Sequence, residues 1–135
     1  MKRKILKPLL LILVLVIVFS YLQYGRTEQV TNSYSSSSAG IRDEHLTIVA
    51  NKLFIINKEQ YANELINKAL TDRLNRFCFS WDMGIPHSIK IDVYLTKIAK
   101  RNGNIAYTII YQPIDNNTSC NVIDNPEKYT LQIKH

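Results

Sequence analysis

Glycine is scarce in this sequence of 135 residues, with four in all, and no two of them share a loop-forming run. That excludes a Gly-rich phosphate cradle, and no Gly-x-Ser-x-Gly nucleophile elbow occurs. Cysteine is scarcer still. Cys78 and Cys120 stand alone with no Cys-x-x-Cys spacing, and His45, His87 and His135 are scattered with no His-x-x-x-His. Spacings of that kind hold zinc, so we expect no metal and no cofactor. The first cysteine lies far beyond the N-terminal apolar run, which excludes lipid attachment there. Acidic residues are missing from the first 27 positions, Glu28 being the first.

That last absence explains the formal net charge of +6. Five of the seventeen basic residues, Lys2, Arg3, Lys4, Lys7 and Arg26, lie in or beside the apolar segment. The remaining twelve face all eleven acidic residues, so the rest of the chain is nearly neutral. No dense Lys/Arg stripe is left to neutralise phosphates, and a nucleic-acid partner is not expected. Lys97, Lys100 and Arg101 form only a small cluster. A solvated loop is its plainer reading and a contact patch its functional one.

What is present begins with "MKRKILKPLLLILVLVIVFSYLQYG", a basic flank followed by a nearly unbroken apolar run. This is the pattern of an export signal. Cleavage needs small residues three and one positions before the cut, and the stretch Ser20 to Tyr24 offers no such pair. Retention needs about 17 to 25 residues across the hydrocarbon, and residues 5–24 supply them. Lys7 can snorkel, and Tyr21 and Tyr24 suit the far interface. We therefore expect residues 1–25 to be an uncleaved signal-anchor crossing the cytoplasmic membrane once. The basic flank would stay in the cytoplasm and the C-terminal part outside. Secretion after signal cleavage is the alternative.

Residues 26–40, "RTEQVTNSYSSSSAG", are polar and Ser-rich. They promise too little burial to offset the entropy of ordering, so we expect a flexible linker spanning roughly 20 Å. Residues 41–135 then form one extracytoplasmic domain. Its clearest element is "NKEQYANELINKALTDRLNR". Tyr61, Leu65 and Ala69, with Ala62, Ile66, Leu70 and Leu74, make one helical stripe. Asn57 with Gln60 resembles a capping box, and Glu59, Arg73 and Arg76 suit the helix dipole. Such a stripe reads as core rather than as a membrane or cofactor face.

Strands follow from period-two alternation. Ile89, Ile91, Val93 and Leu95 share a face, with Lys90, Asp92, Tyr94 and Thr96 opposite. Ile105, Tyr107, Ile109 and Tyr111 share another, and Tyr129, Leu131 and Ile133 a third. Asn102-Gly103 signals a hairpin between the first two, with "KIAK" before it as an irregular or helical turn. Residues 46–56 are ambiguous, and we favour a strand at 53–56 running straight into the Asn57 cap. The expected fold class is α+β, a small antiparallel sheet packed on one helix in the order β-α-β-β-β-β. That order is similar to the cystatin-like architecture, by analogy of fold alone. The inhibitory Gln-x-Val-x-Gly signature is absent, "QVTNS" at 29–33 failing it.

The segment "FCFSWDMGIPHS", residues 77–88, concentrates chemistry-bearing residues. Read as a strand, it puts Phe77, Phe79 and Trp81 on a core face and Cys78, Ser80 and Asp82 on the other. Cys78 and Asp82 then lie roughly 13 Å apart, too far to share a metal. A Cys78–His87 dyad is geometrically open but lacks an orienting third group. A disulfide between Cys78 and Cys120 would close about 40 residues, contributing about 3 to 4 kcal/mol. Free thiols are the equal alternative. The weight falls on architecture, with no catalytic residues assigned. Asn116 and Asn117 each begin an Asn-x-Ser/Thr sequon. The Ile, Asn and Lys usage fits AT-rich bacterial coding, under which those sequons are accidental.

The functional expectation is a non-enzymatic binding or assembly module, anchored in a bacterial cell envelope and meeting an envelope protein. Its contact would be the open sheet edge, or the face carrying Tyr94 with Lys97, Lys100 and Arg101 nearby. A small enzyme using Cys78 and His87, and an inhibitory or immunity protein, are the alternatives.

Overall fold

The apolar N-terminal run forms helix α1, Lys2–Tyr24, in a computed structural model that describes residues 2–79, 82, 84–115 and 117–135. Of Lys2 and Arg3 only the backbone is described. Within Lys4–Tyr24 an 18-residue window has a mean hydropathy of 2.7 and none of it is buried by the rest of the chain. It is long and apolar enough to cross a membrane, as a signal-anchor or a signal sequence would be.

The Ser-rich segment is not a coil. Gln29–Ser38 forms strand β1, paired antiparallel along its whole length with β2, Ile41–Val49. The expectation of a flexible linker over 26–40 is corrected here, and the reason is local. Ala39 and Gly40 sit at φ 51° and 80°, the two positive values of a type I′ turn, which matches the twist of a two-residue hairpin. Pairing with β2 engages the backbone groups of β1 that face it, and the outer edge is open to water, so the strand does not depend on burying its serines. Only Val30 reaches the core.

Asn57 caps α2, Lys58–Leu70, its side chain accepting from the Gln60 amide at 3.0 Å. Tyr61, Ala62, Leu65, Ile66 and Ala69 are the buried stripe, as the periodicity predicts. The helix stops at Leu70. Asp72 and Arg76 have positive φ, so Arg73 and Arg76 leave the helix and do not serve its C-terminal dipole. Leu74 still returns to the core.

The remaining elements are β3, Ser88–Tyr94, α3, Lys97–Arg101, β4, Tyr107–Pro113, and β5, Tyr129–Lys134, with a 3-10 turn at Pro126–Lys128. The five strands lie in the order β1-β2-β3-β4-β5. All neighbours are antiparallel except β2 and β3, which run parallel. Parallel neighbours need a long crossover, and α2 lies within it. The fold is α+β with an open mixed sheet. The expected all-antiparallel sheet in β-α-β-β-β-β order therefore gives way to a hairpin, a crossover and a meander.

Among the described residues two expected strands are absent. Residues 53–56 form a loop, because Leu53 and Phe54 give their amides to Gln23 of α1 rather than to a ladder. Phe77, Cys78 and Phe79 are irregular, and Asp82 lies in a 3-10 turn. Phe79 is buried and Phe77 packs edge-on against it, at 4.9 Å between ring centres. Both phenylalanines thus serve the core as expected, without the strand. Ser80 and Trp81 lie outside the described residues. Asn102 and Gly103 end α3 instead of making a two-residue hairpin turn.

The core lies between α2 and one sheet face. Leu46 and Ile48 of β2, Ile89, Ile91 and Val93 of β3, and Tyr107 and Ile109 of β4 are almost fully buried there. Burying such side chains contributes about 1.5 to 3 kcal/mol each.

Candidate interaction surface

Alternation that turns the apolar side chains of β2, β3 and β4 toward α2 must turn their neighbours the other way. Among the described residues no helix covers that second face over its middle rows. The register sets Tyr34, His45, Lys90, Ile110 and Gln132 side by side across all five strands. Tyr34 is exposed and its ring stacks on His45 at 4.6 Å with an interplanar angle of 2°. One row along lie Asn32, Thr47, Asp92, Thr108 and Lys134. There the Thr108 hydroxyl donates to Asp92 at 2.8 Å. Beyond the His45 row the Ser88 hydroxyl donates to Asp43 at 2.7 Å. The result is a largely polar face, with side chains ordered by the Ser88–Asp43 and Thr108–Asp92 hydrogen bonds and an aromatic pair toward the β1 edge.

Tyr94 belongs to this face, at the end of β3, where it is half-buried. Lys97, Lys100 and Arg101 follow on α3, whose N-cap Thr96 accepts from the Ala99 amide. Lys97 and Arg101 are exposed and Lys100 is half-buried. Tyr94 and the three cations are thus consecutive features of one end of the sheet. Tyr34, His45 and Lys90 were missed in the sequence. Their rows depend on the hairpin and the parallel pairing, neither of which is visible in local alternation.

That same end of the sheet holds α1. The Gln23 side chain is buried; its amide donates to the Phe54 carbonyl at 2.8 Å and its oxygen accepts from the Leu53 and Phe54 amides at 2.9 and 3.3 Å. Phe19 and Phe54 have ring centres 6.3 Å apart. Lys52 lies 5.7 Å over the Tyr24 ring. The chain then turns through Arg26, whose guanidinium caps the Leu22 carbonyl, and Asn51 donates to the Thr27 carbonyl at 2.7 Å. Gln23 was also missed, as a lone glutamine after an apolar run carries no pattern.

The chemistry-bearing residues of 77–88 go elsewhere. Cys78 is exposed, Cys120 buried, and both are free thiols. Asp82 is exposed. His87 joins three elements: its amide donates to the Arg42 carbonyl at 2.6 Å, its Nδ1 donates to the Cys120 carbonyl at 2.9 Å, and its own carbonyl accepts from the Tyr129 hydroxyl at 2.6 Å. That ring nitrogen is engaged by backbone, not by the Cys78 thiol. Among the described residues no group of three or more His, Cys, Asp or Glu is gathered to hold a metal.

Beneath the loop lies a buried ion pair, Arg42 with Glu44, joined by the Ser35 hydroxyl on Glu44 and by Arg42 Nη1 on the Gly84 carbonyl at 2.6 Å. Burial pushes the phenols of Tyr61, Tyr107 and Tyr129 far above the usual tyrosine range, and Glu28 raises Tyr61 further. Burial also raises Tyr111. Among the described residues the buried hydroxyls of Tyr61 and Tyr107 have no hydrogen-bond partner.

No protein-family model matches the chain, and no curated protein or solved structure is significantly similar to it.

Proposed function

We propose that the chain is a membrane-anchored binding or assembly module of a bacterial cell envelope, held by α1 in the cytoplasmic membrane with its head outside. Its contact is the open sheet face, from the Tyr34–His45 stack through Lys90 to Tyr94, with Lys97, Lys100 and Arg101 at one end. The partner is an envelope protein, and the role is non-enzymatic. The observation that carries this reading is the uncovered five-strand face, pre-ordered by the Ser88–Asp43 and Thr108–Asp92 hydrogen bonds. A face of tyrosine, histidine and hydrogen-bonding side chains suits a protein surface, where aromatic anchors carry most binding energy. The contacts of Gln23 and Phe19 with the 53–56 loop support retention of α1, since cleavage after the apolar run would remove both from the head.

Photo-crosslinking from membranes tests it. A benzoyl-phenylalanine placed at Lys90 or Gln132 should trap a discrete protein adduct. The same group at Asn63, on the exposed side of α2, should not. Tyr34→Ser should reduce the Lys90 adduct several-fold. Equal adducts from both faces would contradict the assignment.

A further inference from the structure

The 53–56 loop leaves Ile56 84% exposed and Phe54 38% exposed, and α3 leaves Ile98 68% exposed. Exposed large side chains scattered singly need no explanation, whereas a set gathered at one place does. Phe54 touches Phe19 of α1. Ile98 lines a hollow of about 620 Å³ together with Tyr21 and Leu22 of α1 and Leu53 of the loop. Ile56 lines a second hollow with Gln23 and Tyr24 of α1, so all three collect around the last turns of α1.

Helix length decides what covers them. The candidate span Lys4–Tyr24 is 21 residues, or about 31 Å at 1.5 Å per residue. The hydrocarbon core of a bilayer is about 30 Å thick. A helix of this length has nothing to spare, and tilt only shortens its reach. Phe19 then lies about 7 Å inside the end of the helix, within the apolar layer. The Phe54 ring, 6.3 Å from the Phe19 ring, is carried down to the boundary with it. No spacer lifts the head, because Gln23 binds the loop directly.

We propose that the 53–56 loop and the start of α3 form a lipid-contact rim. Phe54, Ile56 and Ile98 rest in the interfacial layer of the bilayer that α1 crosses. Lys52, over the Tyr24 ring, reaches the headgroups. The occupant is the lipid surface, continuous with the one α1 spans. The head sits on the membrane in one orientation, with the polar sheet face held to the side. This rests on the anchor reading above and adds a second, independent membrane contact.

The test uses the full chain in phosphatidylcholine–phosphatidylglycerol vesicles, with the exposed Cys78 removed as Cys78→Ser. An environment-sensitive NBD probe is attached in turn at Ile56→Cys, Ile98→Cys, Ser36→Cys and Leu13→Cys. At Ile56 and Ile98, spin-labelled lipid should quench the probe several-fold more than aqueous iodide does. At Ser36, near the hairpin tip, the ratio should reverse. Strong lipid quenching at Leu13 verifies the anchor separately. Lipid quenching at Leu13 with iodide-dominated quenching at Ile56 and Ile98 would overturn the rim while leaving the anchor. Iodide-dominated quenching at Leu13 would overturn both. Disulfide-linked dimers through Ile56→Cys, without lipid quenching, would assign the patch to a second copy and overturn the proposal.

Discussion

Glu44 shows how a single side chain governs a region of this protein. It is buried with Arg42 and accepts from Ser35, and Arg42 in turn holds the Gly84 carbonyl of the loop above. Removing one partner of a buried pair leaves an uncompensated charge and costs about 3 to 5 kcal/mol. Glu44→Ala should therefore lower the unfolding free energy of the detergent-solubilised chain by that order, read from denaturant melts. Ser37→Ala, on the exposed part of β1, should change it little. The tyrosines make a second prediction. Their phenols are raised by burial, so the folded chain holds protons that the unfolded chain gives up near pH 10. Stability is then fully present below about pH 10 and is lost as pH rises above it, because the unfolded state ionises first. Melting temperature against pH should fall steeply on the alkaline side, and Tyr107→Phe should soften the fall. His87 marks what was legible at this scale. The segment 77–88 reads as architecture from sequence, and Phe77 and Phe79 do pack at the core while His87 bonds to backbone. The partners of His87 are backbone groups of β2 and of the loop carrying Cys120, which no spacing in the chain announces.

Elements were legible where local physics decides them. Helix α2 starts at its Asn57 cap and buries the stripe its four-residue spacing predicts. The alternation of β3 puts Ile89, Ile91 and Val93 inward as read. Strand β1 was illegible for two reasons. Its serines are poor strand formers, and its turn uses Ala39 at φ 51°, where asparagine or glycine is the usual signal. The β2–β3 parallel pairing was hidden because it joins residues more than forty positions apart, as in Thr47 with Asp92. The loss of a strand at 53–56 follows from Gln23, whose side chain takes the amides a ladder would need. Gln23→Ala should accordingly raise hydrogen exchange at Leu53 and Phe54 by an order of magnitude or so, each lost hydrogen bond being worth about 1 kcal/mol. Amides of β3 and β4 should exchange as before. Unchanged protection at Leu53 would show that α1 does not hold the loop.

At the scale of the whole molecule, the linker expected between helix and head is replaced by a direct joint. The sheet runs unbroken from β1 to β5, and α1 meets the 53–56 loop beside it through Gln23 and Phe19. A joint of this kind transmits the orientation of the helix to the head, so a head displayed by α1 presents its polar sheet face in a defined direction. In the proposed topology the basic N-terminal flank stays in the cytoplasm and the head lies outside. The most direct test is the side of the membrane on which the β1–β2 hairpin lies. With Ser36→Cys in a Cys78→Ser background, a membrane-impermeant maleimide should label the full-length, membrane-bound chain in intact bacterial cells. Labelling only after lysis, or a shortened chain released to the medium, would contradict the account.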